Sequence, residues 1–322
     1  MNNTTFMAKL PPRPTMLSIW SVIQSVTLAI CILVYILNGF MFALYLRHRH
    51  LRTPFSVYLL TVTGGNLLNA VFNNPLLFVL RDATITGNGT TFCMVYLYLK
   101  QTVGTALPAF HMLIALNRIW AMCYPLSYRQ RHTRGFAGGV CVVTWMVIHA
   151  VIVPGLTMEG LYFRTPGNNF LCTFSTGDAR MEAWSVTVTV VLSIVPEVTI
   201  LCFYPFAVGK RVQRSRKVRE MTIVAPSVHG TGKLATDDDA AGTVRAAKRS
   251  FTVLTLLTVS ATVCWTPTNV YFVAMKYFNS FLFMQIAVTL KLLHTAIDPL
   301  LFMVSLQDLR RAARNALCLS AV

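Results

Sequence analysis

Seven apolar stretches organise this chain. They cover roughly 18–46, 54–80, 91–123, 136–158, 183–208, 246–275 and 280–305, each about 20 to 30 residues long. A helix needs about 20 apolar residues to cross the hydrocarbon core of a bilayer, so each stretch can span it with some tilt. Polar residues concentrate between them, as in RHRHLRT at 47–53 and in a basic run beginning at Lys210. The pattern predicts an all-α membrane protein. Its parts are an extracellular polar N-terminus at 1–17, a seven-transmembrane helix bundle at 18–305, and a short amphipathic helix with a cytoplasmic tail at 306–322. In QDLRRAARNALC, residues 307–318, Leu309, Ala313, Ala316 and Leu317 can face lipid while the arginines face headgroups. The polar segment 210–247, with GTG and three aspartates at 237–239, is expected to be a mobile loop.

Composition narrows the picture. The 322 residues are 55% hydrophobic and 12% charged, too apolar for an ordinary soluble domain. A net charge of +17 would suit a nucleic-acid binder, but the cations lie in the gaps between apolar stretches and make no long basic face. With the N-terminus outside, 20 of the 28 lysines and arginines fall on the inner side. That orientation predicts a multi-pass plasma-membrane protein with lipids as partners and no nucleic acid. Glycosylation sequons at Asn2, Asn3 and Asn88 then lie outside. So do Cys93 and Cys172, in the compartment where a disulfide survives, whereas most of the eight cysteines sit in spans as small apolar residues. Lys9, Pro11, Pro12 and Pro14 precede the first apolar run, so no cleavable signal peptide is expected and the first span serves as the signal.

Polar residues inside the spans are the candidates for function. Span 1 carries Asn38, and span 2 carries Asn66, Asn69, Asn73 and Asn74 before Pro75. Buried amides need partners across helices, and Pro75 should loosen the end of its helix. The 25 residues from Cys93 to Arg118 reach roughly 37 Å as helix, which puts the cysteine at the outer face and the arginine at the inner one. Arg118 marks function by default, with snorkelling to the membrane surface as the other reading. Lys100 lies 18 residues earlier, about five turns, on the same face near the outer mouth.

Taken in order, these landmarks resemble the rhodopsin-like (class A) G-protein-coupled receptors over about residues 18–318. The match rests on Asn38, the LL after Asn66, Cys93 to Arg118 to Pro125, Trp145, Cys172, Pro196 to Tyr204, CWTP at 264–267 and DPLLF at 298–302. The resemblance implies an extracellular ligand, a heterotrimeric G protein and a Cys93–Cys172 bond over span 3. It also implies a switch through Trp265 and Pro267, with Asn117, Arg118, Tyr204, Asp298, Pro299 and Phe302 in the activation network. Cys318 is a candidate palmitoylation site, an unmodified thiol being the other reading.

The chain departs from the family pattern in instructive ways. Members usually carry Asp-Arg-Tyr where this chain has Asn117-Arg118-Ile119, and often an acid where Ala247 stands. Both restraints on the arginine are weakened, which predicts raised basal signalling unless packing compensates. The usual span-2 aspartate and span-7 asparagine are exchanged, as Asn66 and Asp298. With Leu107 and His294 replacing a serine and an asparagine, sodium binding is expected to be weak or absent. Phe302 replaces a tyrosine and removes a hydroxyl.

Positions matching the family's ligand pocket are Lys100, Gln101, Gly104, Trp265, Asn269, Phe272, Lys276, Lys291 and His294. Amine receptors place an aspartate where Lys100 stands, so an amine ligand is not expected. Lys100 either recognises an anion or pairs internally with Glu197 or Glu159. Retinal is not expected, because the opsin lysine position falls on Leu292 and one residue turns a helix by about 100°. The favoured ligand is a short neuropeptide, or an anionic small molecule or lipid. A non-signalling relative and a seven-span transporter are the competing classes. No catalytic cluster points to an enzyme.

Overall fold

The computed structural model describes residues 13–73, 90–164, 174, 178–224, 235–274 and 280–319. Span 1 is one helix, Arg13–Arg47. It begins earlier than expected because Pro14 is tolerated in a first turn, where its missing N–H has no intrahelical acceptor to lose. Span 2 runs Pro54–Leu68, started by the Thr53 side chain accepting from the Ser56 N–H, and widens into a π-turn at Asn69–Asn73. Pro75, whose loosening effect was expected, lies just beyond, outside the described residues. Span 3 is Thr90–Cys123, followed by a short helix Pro125–Arg131. Span 4 is Arg134–Met158 with a π-turn Glu159–Phe163. Span 5 joins Ala179–Thr189 to Val195–Val224 through a π-turn at Val190–Ile194, immediately before Pro196. Span 6 is Ala235–Ala274, span 7 Phe281–Ser305, and the amphipathic helix Gln307–Leu319.

Six of the described helices are long and apolar enough to cross a membrane, and span 6 completes the bundle. Span 3 lies at its centre, packed on spans 2, 4, 5 and 6, while span 7 closes the ring between spans 1 and 6. Aromatic residues key the periphery together. Trp184 of span 5 lies flat against Gly155 of span 4, where any Cβ would collide with the indole, and its Nε1 donates to Val151 O at 3.2 Å.

Two expectations need correction. Segment 210–247 is not one long loop, since helix continues to Val224 and resumes at Ala235. Lysine and arginine are good helix formers, so the basic run prolongs span 5. The three aspartates lie in the first two turns of span 6, where the helix dipole favours negative charge. The amphipathic helix also uses its apolar face differently. Leu309 and Ala313 are buried in the main core cluster, leaving Leu317 exposed.

Candidate functional site

Prolines create the acceptors around which the site is built. A proline within a helix has no N–H for the carbonyl four residues earlier. Pro299 thus leaves Thr295 O without its helical donor. Asn38 Nδ2 donates to that oxygen at 2.9 Å and Asn66 Nδ2 reaches it at 3.4 Å. Asn66 Nδ2 also donates to Asn38 Oδ1 at 3.2 Å and to Asp298 Oδ2 at 3.1 Å. Spans 1, 2 and 7 are tied at one point, and all three side chains are fully buried. The exchanged amide and carboxylate therefore still meet.

The other Asp298 oxygen faces two histidines. His111 Nε2 of span 3 lies 3.0 Å from Oδ1, and His294 Nδ1, one turn before Asp298, lies 3.5 Å from it. Trp265 closes this group from span 6, edge-on to His111 at 5.0 Å between ring centroids and tilted on His294 at 4.8 Å. Sodium prefers an all-oxygen shell, and two imidazoles do not suit it. Leu107, at a position implied for a sodium ligand, packs in the core instead.

Span 3 repeats the proline device nearer the Cys93 end. Pro108 frees Gly104 O, and Lys291 Nζ of span 7 donates to it at 3.2 Å. A Cβ on Gly104 would meet nothing within 4 Å, so the backbone borders open space here. Lys291 is within electrostatic reach of Glu197 and Lys100. Glu197 is buried and accepts from Thr266 Oγ1 and Asn269 Nδ2, joining span 5 to span 6 beside Pro267. Lys100 is exposed, with its ammonium 5.7 Å from the Tyr96 ring centre. Glu159 pairs with Arg164 at 3.4 Å, and Arg164 Nη2 also contacts Cys93 Sγ at 2.6 Å. Gln101 is half-buried near this mouth, whereas Phe272 is 46% exposed and its neighbour Tyr271 is buried. Lys276 lies outside the described residues, as do Asn2, Asn3, Asn88 and Cys172. Cys93 is disulfide-bonded. Cys318 falls in the last turn of the amphipathic helix, its side chain outside the described residues.

At the opposite end, Arg118 lies with its guanidinium carbon 3.2 Å from the centre of the Phe55 ring of span 2. Its Nε is buried with no hydrogen-bond partner among the described residues. Asn117 turns the other way, towards the 124–133 segment. Its Nδ2 donates to His132 Nε2 at 2.9 Å, and its Oδ1 accepts from Tyr128 OH at 3.2 Å. His132 in turn stacks on Tyr58, with planes 3° apart. Burial, and then the Arg118 charge, push the His132 pKa below the usual histidine value. Tyr204 of span 5 meets Thr255 of span 6 at 3.5 Å, and Phe302 is buried in the main core cluster. The side chain at position 247 lies outside the described residues.

Sequence reasoning missed His111, Pro108 and His132. His111 was findable, since it lies seven residues before Arg118, two turns up the same face. The partners of Lys291 and Glu197 were not, because which span-3 carbonyl a span-7 lysine meets depends on the packing of two distant helices.

A seven-helix membrane bundle with a buried polar core below a tryptophan, and a half-buried arginine at one end, fits a transmembrane receptor. The chain belongs to the rhodopsin family of seven-transmembrane receptors, whose profile matches residues 37–302. These are non-enzymatic signalling receptors. Similar proteins include the cholecystokinin receptor type A of Oryctolagus cuniculus, 25% identical over 174 residues, 52% of this chain and 40% of that receptor. The gastrin/cholecystokinin type B receptor of Canis lupus familiaris is 29% identical over 157 residues, 48% of this chain and 35% of that receptor. The human type A receptor is 23% identical over 214 residues, 63% of this chain and 49% of that receptor. The matched segments span less than half the length of these relatives.

Proposed function

We propose that this chain is a plasma-membrane receptor that activates a heterotrimeric G protein through its Arg118 end. Its ligand is an extracellular molecule bearing an acidic group, a short peptide before a small anion or lipid. The observation that carries this reading is Lys291, an intramembrane cation donating to a proline-freed carbonyl of span 3, with Lys100 at the same end. A ligand carboxylate is a stronger acceptor for an ammonium than a backbone carbonyl is. It can take Lys291 from Gly104 and so change the contact between spans 3 and 7. Trp265 and Glu197 link that region to span 6 at Pro267, where an outward swing would open the bundle. The concentration of basic residues in the other set of connectors supports an orientation with the Lys100 end outside. The peptide preference is supported by relatives that are cholecystokinin and gastrin receptors.

The same reading includes raised basal output, because Arg118 rests on an aromatic ring rather than on a carboxylate. The test is a G-protein reporter panel on surface-expressed receptor, screened with acidic peptides and their neutral amidated versions. Losing a charge-assisted hydrogen bond costs about 1.5–3 kcal/mol. Lys291→Met should therefore weaken potency about 10- to 100-fold, with a smaller loss for Lys100→Ala. Equal potency of acidic and amidated peptides would refute the anion site. Silence towards every ligand and in every G-protein class, from receptor confirmed at the surface, would favour a non-signalling relative.

A further inference from the structure

We propose that His111, His294 and Asp298 form a binding site for a divalent transition-metal ion, zinc being an ion their donor atoms suit. The three residues offer one ligand atom each, all within 4.8 Å of one another. His111 Nε2 and His294 Nδ1 stand 3.0 and 3.5 Å from Asp298 Oδ1. Ligands bound to zinc at about 2.0–2.1 Å in a tetrahedron are separated by about 3.3 Å, between those two distances. Two imidazoles and a carboxylate suit zinc, copper or nickel better than sodium, magnesium or calcium.

The surroundings of the ligands carry the inference further. A metal-binding histidine usually commits its other nitrogen to a backbone carbonyl or carboxylate, which fixes the ring. His111 Nδ1 does so, lying 2.8 Å from Leu107 O. The ring then has an acceptor at each nitrogen, a carbonyl at one and a carboxylate at the other. A neutral imidazole has one N–H and can satisfy only one of them. A cation is needed between Nε2 and the carboxylate, either a further proton carried by one of the two or a metal ion. Asn66 Oδ1 of this cluster is buried with no hydrogen-bond partner among the described residues and offers an oxygen beside the site, whereas His294 Nε2, also without a partner there, gains none from an ion at Nδ1. Asp298 is itself oriented through its second oxygen by Asn66. A bound ion would cross-link span 3 to span 7 directly beneath Trp265.

The experiment is a Co²⁺ titration of the full-length purified receptor in nanodiscs, read by ligand-field absorption and by thermal unfolding, with Zn²⁺ and Na⁺ as competitors. His48 and His50, neighbours at the Arg118 end with ring centroids 5.5 Å apart, are the obvious competing pair, so the titration is repeated in H48A/H50A. One Co²⁺ per receptor, displaced by Zn²⁺ but not by Na⁺ and retained in H48A/H50A, is expected. His111→Ala and His294→Ala should abolish it. Asn66→Ala, which removes an orienting partner but none of the three ligands, should weaken affinity about 10- to 100-fold. Each variant is checked by its metal-free melting temperature, and His294→Gln stands in should the alanine variant fail to fold. No Co²⁺ signal in wild type, or a signal that survives His294→Ala or His294→Gln, would overturn the proposal and leave His111 held by a proton alone.

Discussion

The middle of the bundle and its Arg118 end are both polar places inside a membrane protein, and they are held in opposite ways. In the middle, Asp298 has Asn66 on one oxygen and two histidines by the other, and the carbonyl freed by Pro299 is met by two amides. Removing one partner there leaves others unsatisfied. At the end, the guanidinium of Arg118 rests on a phenylalanine face, while the neighbouring amide is committed to another segment. The charged group of one region is fixed by mutually dependent hydrogen bonds, whereas the guanidinium of the other rests on an aromatic ring. In the proposed reading, the arginine that signals is thereby held more lightly than the polar core.

The largest effect that would sharpen this contrast is expected in the middle. Asp298→Ala uncouples Asn66 and both histidines at once, and breaking a buried charged pair costs about 3–5 kcal/mol. Purified receptor should melt at markedly lower temperature, and little should reach the cell surface. A near-normal melt would mean that the polar core is not the anchor described.

Next in size is Phe55→Ala. A desolvated cation–π contact is worth about 2 kcal/mol. Its loss should raise basal signalling up to about 30-fold if the contact belongs to the quiet state alone. Asn117→Asp should act in the opposite sense and more weakly, by placing a carboxylate next to Arg118. That carboxylate can also accept from His132 Nε2–H, so the ring changes from acceptor to donor at this contact.

The smallest expected effect is a pH dependence at the same end. The His132 pKa lies below its ordinary value, through burial and then the Arg118 charge. The neutral ring that accepts from Asn117 therefore favours the folded state. That contribution is fully present above the ordinary histidine value and is lost as pH falls through the folded value. Wild type should lose more melting temperature on acidification than His132→Gln does. In Asn117→Asp the trend should shrink or reverse, because a carboxylate favours the protonated ring. Parallel pH profiles for wild type and His132→Gln would remove His132 from the account.

Much of this architecture was legible in the sequence because membrane helices are written by length and apolarity. The seven spans and the amphipathic helix follow from position along helices of fixed rise, and the meeting of Asn66 with Asp298 is what the family resemblance implied. Where helices end was harder to see. Lysine and arginine read as loop residues in a chain this apolar, yet they prolong spans well beyond the bilayer, as the Val195–Val224 helix does. Partner choice was hidden as well. Glu159 pairs with Arg164, and Glu197 accepts from Thr266 and Asn269. Asn117 was read as a weakened restraint on its neighbour, and its bonds to His132 and Tyr128 depend on how residues 124–133 fold back.

The most direct test of the central claim, that Arg118 is a lightly held signalling residue, is basal second-messenger output without ligand. Wild type, Arg118→Ala and Phe55→Ala would be compared at matched surface expression across G-protein classes. The account predicts output above an empty-vector control in wild type, a further rise in Phe55→Ala and its loss in Arg118→Ala. Equal output from all three receptors, at the level of the control, would contradict it.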